Sequence, residues 1–255
     1  MNEPAVLVTR PAGQSDALCA RLQAQGLRPA VCPLIEIEPL PRPSARQRQC
    51  LLALDEYQHL VFVSANAVRH GMQWIEGYWP QLPPDLNWYT VGEASARELA
   101  SHGVTVQRPE IEMNSEGLLE LVGLQDVKDQ KVLIIKGEGG RETLRETLLQ
   151  RGARVEELAP YRRHCPELAA GVLYAIIEKH HCRLILLSSG EALHNMVSLL
   201  NEEELRQVRQ LSLVVPGTRV AAIARNGGFS QVITAPSATD DDMLAAITGY
   251  LATGG

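Results

Sequence analysis

The stretch with the clearest chemical potential is Lys136-Gly137-Glu138-Gly139-Gly140-Arg141. It follows the apolar run Val132-Leu133-Ile134-Ile135. It precedes Leu144, Leu148 and Leu149, which fall at i, i+4 and i+5 and form a helical stripe. A glycine-rich turn between strand and helix leaves backbone N–H groups at the helix N-terminus, with Lys136 and Arg141 beside them. Gly137 and Gly140 let that backbone approach a ligand closely, and the arrangement favours an anion such as carboxylate or phosphate. Glycine also serves simply to make a tight turn, so a purely conformational reading stands next to the functional one. The spacing matches neither a Walker loop nor a dinucleotide fingerprint.

Other predicted strand ends carry similar groups: Thr9, Arg10, Ser64, Asn66, Ser115, Tyr161, Ser188, Ser189 and Thr218. Hydroxyls and amides at such places often cap helices, and Ser115 reads as a cap or an anion contact. Repeated at matching ends of a duplicated unit, they equally make a cradle for a polyanion. No acid–base carboxylate pair and no GxSxG nucleophile motif is present. His180-His181-Cys182 does not read as a metal site, because adjacent histidines on a helix point apart.

The elements that must position these groups occur twice. Val6–Thr9 reads as a buried strand and 13–25 as a helix carrying Leu18 and Leu22, with a stop at Gly26. Leu144, Leu148 and Gly152 repeat that spacing. Phe62-Val63-Ser64-Ala65-Asn66-Ala67-Val68 is echoed by Leu187-Ser188-Ser189-Gly190, and Gly92-Glu93-Ala94 by Gly217-Thr218-Arg219. The period of about 125 residues is too long for a solenoid and marks a duplicated α/β unit. Alternating strands and helices imply parallel sheets covered on both faces.

Proline-bearing stretches fall inside each copy rather than between them. They are Pro39-Leu40-Pro41-Arg42-Pro43 and Pro160-Tyr161-Arg162-Arg163-His164-Cys165-Pro166. Domain boundaries usually lie in such segments. The expected organisation is therefore a discontinuous domain from 1–38 and 163–255, an inserted domain at 43–159, and linkers at 39–42 and 160–162. Ligands of open parallel sheets bind at the carboxyl ends of the strands, so a shared cleft is expected there.

With 255 residues, the chain has length for two cores, and 45% hydrophobic with 21% charged residues is an ordinary globular balance. A net charge of -6 argues against a general nucleic-acid or membrane-surface role. Five scattered cysteines give neither a disulfide framework nor a zinc knuckle. Free thiols, no apolar run of membrane length and no leader-like N-terminus point to a cytoplasmic protein.

Taken in order, several motifs resemble the uroporphyrinogen-III synthase family. They are Val8-Thr9-Arg10-Pro11, Phe62 to Val68, Val91-Gly92, Asn114-Ser115-Glu116-Gly117, Lys136 to Arg141, Pro160-Tyr161 and Leu187-Ser188-Ser189. Two places depart from the pattern. Leu187-Ser188-Ser189-Gly190 stands where the family often starts Phe-Thr-Ser, and Pro216-Gly217-Thr218 where Ile-Gly-x-Thr is usual. The resemblance implies an α/β fold of two similar domains, each a parallel sheet flanked by helices, joined by a two-stranded linker with a cleft between them. It implies a lyase in tetrapyrrole biosynthesis that loses water from hydroxymethylbilane, inverts ring D through a spiro intermediate and closes the ring. That substrate is a linear octacarboxylate, which hydroxymethylbilane synthase would hand over. The resemblance implies no cofactor and no metal, and the expected partner is this small molecule alone, with the protein a monomer. Tyr161 resembles the family tyrosine that assists departure of the hydroxyl, although a tyrosine there could equally serve packing. Two other classes compete: a two-lobed ligand-binding regulator without turnover, and a nucleotide-dependent transferase, which lacks its phosphate motifs.

Overall fold

The computed structural model describes residues 4–110, 114–140 and 142–253. These separate into two compact units, one made of Met1–Glu36 with His164–Gly255 and the other of Ile37–Arg163.

In the first unit a five-stranded sheet is formed by β1 (Ala5–Val8), β2 (Arg28–Val31), β9 (Cys182–Leu186), β10 (Ser212–Pro216) and β11 (Val232–Ala235). Its order is β11-β10-β9-β1-β2 and every pairing is parallel. All four residues of β1 are buried, as a strand covered on both faces requires. The helices are α1 (Asp16–Ala24), α8 (Val172–His180), α9 (Gly190–Leu199), α10 (Glu202–Val208), α11 (Gly217–Asn226) and α12 (Asp240–Ala252). Leu18 and Leu22 of α1 join Val6, Val8, Leu184, Leu186 and Val214 in one core. Helix α1 starts later than its apolar pattern suggests because Gly13 has φ +74°, which a right-handed helix cannot include. His180 is the last residue of α8 and His181 turns left-handed at φ 52°, so the pair is a helix stop. Among the described residues no group of three or more His, Cys, Asp or Glu is placed to hold a metal, and no helix is long and apolar enough to cross a membrane.

The second unit carries β3 (Glu36–Pro39), β4 (His59–Phe62), β5 (Asn87–Thr90), β6 (Val106–Gln107), β7 (Lys131–Gly137) and β8 (Arg154–His164). The sheet order is β3-β8-β7-β4-β5-β6. Around it lie α2 (Ala45–Leu52), α3 (Ala65–Tyr78), α4 (Glu93–Ala100), α5 (Ser115–Leu119), α6 (Val122–Gln125) and α7 (Thr143–Gln150). Ser44 and Gln47 form a capping box at α2, and Ser64 caps α3 through the Ala67 N–H. Leu144 and Leu148 of α7 are buried, whereas Leu149, counted in the stripe from its spacing, is 40% exposed. The stripe is two residues wide because i+5 has already turned away from the core.

The proline-bearing stretches are more regular than their composition implies. Pro39 ends an edge strand, where a missing N–H is tolerated, and the Leu40 N–H donates to the Pro160 carbonyl at 2.9 Å. β8 runs unbroken through Pro160. It manages this with a bulge: Leu158 pairs with Ile135 and Tyr161 with Gly137, so β8 spends one residue more than β7 between those pairs. Leu158 and Tyr161, three apart, would face opposite sides of a regular strand. The extra residue brings both into the same core, beside Phe62, Val68 and Ile135.

Candidate active site

Strands β4, β5, β7 and β8 run parallel, so their carboxyl ends open at one edge of the second unit. A cavity of ≈ 270 Å³ lies there. Ser64 enters from the end of β4, Val91 from β5, and Lys136 and Gly137 from β7. Gly139 and Gly140 come from the turn, Arg145 from α7, Asn114 and Ser115 from the start of α5, and Glu157, Tyr161 and Arg163 from β8.

Tyr161 lines the cavity. It is 2% exposed, and its hydroxyl lies 3.0 Å from the Ser64 Oγ. Ser64 also accepts the Ala67 N–H at 3.1 Å, so one hydroxyl both starts α3 and holds the phenol. The ring rests on Gly137: a Cβ there would come within 2.7 Å of Cε2 and 2.9 Å of Cζ. Gly137 is therefore needed for close approach and not for a left-handed backbone. That conformational demand falls on Gly139 and Gly140, at φ +70° and +92°. His70 packs against the phenol, with ring centroids 5.5 Å apart. Burial, then the neighbouring Arg69, pushes the His70 pKa down, and its buried Nδ1 has no hydrogen-bond partner among the described residues. A neutral imidazole thus faces the tyrosine.

Lys136 is 8% exposed. Its Nζ lies 2.9 Å from Glu157 and 3.3 Å from Glu142, so its charge is already matched. The helix cap at α5 belongs to Asn114, whose side chain accepts the Gly117 N–H at 2.8 Å; Ser115, read from the sequence as a cap or an anion contact, is the first helical residue and lines the cavity. Asn66 is half-buried in the first turn of α3. Arg141 lies outside the described residues.

The remaining sequence candidates belong to the first unit. Thr9 is fully buried, and its hydroxyl donates to the Leu186 carbonyl at 2.7 Å, tying β1 to β9. Arg10 pairs with Asp240 and donates to the Ala238 carbonyl at 2.9 Å. Ser189 caps α9 through the Ala192 N–H at 3.1 Å, next to a half-buried Ser188. Thr218 is exposed on the first turn of α11. Of the candidates read from the sequence, the structure brings Ser64, Ser115, Lys136, Gly137, Gly140 and Tyr161 to one cavity; Arg145, Glu157 and Arg163, which also line it, and His70, beside Tyr161, were not singled out in the sequence. Arg145 adjoins Leu144 on the helix of the opening stripe, and Arg163 follows Tyr161 by two. Proximity to those motifs was the only signal.

Two similar parallel sheets flanked by helices, one of them opening on a cavity lined by Lys136, Arg145, Arg163 and Tyr161, define a two-unit α/β protein. The family model described as Uroporphyrinogen-III synthase HemD matches residues 16–245, and the chain belongs to that family. It is 32% identical to the uroporphyrinogen-III synthase of Escherichia coli (strain K12), over 95% of this chain and 99% of the relative. It is 30% identical to that of Synechococcus elongatus, over 76% and 74%. Among solved structures, a mutant uroporphyrinogen III synthase from the extremely thermophilic bacterium Thermus thermophilus shares the fold with TM-score 0.64 at 16% identity, covering 98% of this chain and 99% of the other. The uroporphyrinogen-III synthetase of Helicobacter pylori gives 0.62 at 13%, covering 97% and 99%.

Proposed function

We propose that the chain converts hydroxymethylbilane into uroporphyrinogen III, as a cyclising lyase of tetrapyrrole biosynthesis. Family membership supports the activity, and the observation that carries the site is the Tyr161 hydroxyl held by Ser64 at the cavity on the second unit. The substrate's C–O bond breaks as the pyrrole nitrogen pushes electrons toward the departing hydroxyl, which leaves as water once it gains a proton. Tyr161 donates a hydrogen bond to that oxygen without adding charge to an anionic substrate. The substituted α-carbon of ring D then bonds to the electrophilic carbon to give the spiro intermediate. Its older bond to the ring C bridge breaks, and the freed bridge carbon bonds to the other α-carbon of ring D, which loses a proton, closing the macrocycle with ring D inverted. Pyrroles do this chemistry unaided, so the protein's larger task is to hold one folded geometry. In this reading Ser115, Lys136, Asn66 and the backbone at Gly137 and Gly140 position carboxylates around the cavity.

The test is incubation with freshly prepared hydroxymethylbilane, followed by separation of the product isomers. Protein-dependent formation of the type III isomer is expected. Type I alone, at the rate seen without protein, would rule the reading out.

A further inference from the structure

The cations around the cavity are not equivalent. Lys136 is bracketed by Glu157 and Glu142 and is nearly buried, so an incoming carboxylate must compete with two already present. Arg145 differs. It is half-buried on α7 and borders both the cavity and an adjoining hollow lined by Arg46, Glu138, Glu142 and Glu157. Among the described residues its guanidinium has no hydrogen bond or ion pair. A partly desolvated guanidinium without a counter-ion gains more from a ligand carboxylate than a paired ammonium does. Its planar fork also suits a carboxylate in bidentate fashion.

We propose that Arg145 is the cation that anchors a carboxylate of the substrate, and that Glu157, by holding Lys136, keeps that lysine from acting as the primary anchor. Arg145 is thus a binding residue, and Glu157 sets how much positive charge the cavity presents. This rests on the reading that a polycarboxylate tetrapyrrole occupies the cavity. Neither residue stands out in the sequence, because a charge on the outer face of a helix or along a strand looks the same whether it faces solvent or a ligand.

The test uses the full chain with two readouts: steady-state kinetics on hydroxymethylbilane, and equilibrium binding of uroporphyrin, an octacarboxylate that does not react. Arg145→Gln should raise KM and weaken uroporphyrin binding about tenfold, the size of one lost charge-assisted contact. Its kcat should stay within about twofold and its melting temperature should not move, since no intramolecular partner is lost. Arg145→Lys should fall between the two. Glu157→Gln should lower KM, because it removes the nearer of the two carboxylates that hold Lys136 and leaves only Glu142 on it. Unchanged uroporphyrin affinity in Arg145→Gln would overturn the inference, as would a loss confined to Lys136→Gln. Failure of the wild type to form the type III isomer would instead count against the catalytic reading, and the uroporphyrin measurement would still decide the role of Arg145.

Discussion

The two units carry the same kind of sheet and use the ends of their strands differently. In the first unit the polar side chains after β1 are consumed internally: Thr9 on the Leu186 carbonyl, Arg10 on Asp240 and the Ala238 carbonyl. In the second unit the tie between strands is made elsewhere, by the buried Thr90 hydroxyl on the Phe62 carbonyl at 3.0 Å. That leaves Ser64 to hold Tyr161, and leaves Arg145 without an intramolecular counter-ion among the described residues. A duplicated backbone therefore does not imply duplicated chemistry. Both polar side chains after β1 are tied inside the protein, whereas the cavity of the second unit borders a guanidinium, that of Arg145, with no partner among the described residues.

The largest effect that could break this contrast is at Tyr161. Tyr161→Phe keeps the ring on Gly137 but loses the hydroxyl, and turnover should fall about a hundredfold if the phenol assists the leaving group. The stability loss should be near 1 kcal/mol, roughly one hydrogen bond, as read by a thermal melt. Next in size is Gly137→Ala. The added methyl would sit 2.7 Å from a ring that is 2% exposed. Overpacking of this kind costs about 1–3 kcal/mol, and the displaced phenol should also slow turnover. A purely conformational glycine would give neither result.

Thr9→Val sharpens the contrast from the other side. It should lower stability by about 1–3 kcal/mol, because the Leu186 carbonyl loses its buried donor. Its kcat should change by no more than about threefold if Thr9 works only as a tie. A large loss of kcat with an unchanged melt would move Thr9 back among the reacting groups.

The smallest effect is on pH dependence and tests whether the second unit's buried histidine is structural. His59 is 4% exposed, contacts the Tyr89 hydroxyl at 3.2 Å and pairs with Gln130, and burial pushes its pKa down despite the Gln130 contact. The unfolded chain, with its ordinary value near 6.5, then binds a proton more readily than the folded chain. Stability is fully present above that value and is lost as pH falls below it. Chemical denaturation at pH values above and below 6.5 should show that slope in the wild type. A His59→Gln protein should show less of it, and an equal slope would assign the effect to other groups.

The parallel sheets were legible because predominantly apolar runs such as Ala5–Val8 and His59–Phe62 are followed within two residues by a hydroxyl residue, Thr9 or Ser64. Helix α10 was legible only in hindsight, from the Asn201 and Glu204 capping box. The bulge in β8 was not legible at all. Pro160 reads as a break in a sequence, and only the pairing of Tyr161 with Gly137 shows that one extra residue absorbs it. The close approach of that ring, and not a turn requirement, explains Gly137, and no spacing rule encodes it. Arg145 and Glu157 stayed hidden for a different reason, since pairing among charges is a property of three dimensions.

The most direct test of the central claim is the ratio of kcat for type III isomer formation in Tyr161→Phe to that in Thr9→Val, measured side by side on hydroxymethylbilane. The account predicts a ratio near 0.01, roughly the loss of one acid–base contact at a reactive strand end against none at a structural one. A ratio near one, with both proteins folded by thermal melt, would contradict it and place the chemistry away from Tyr161.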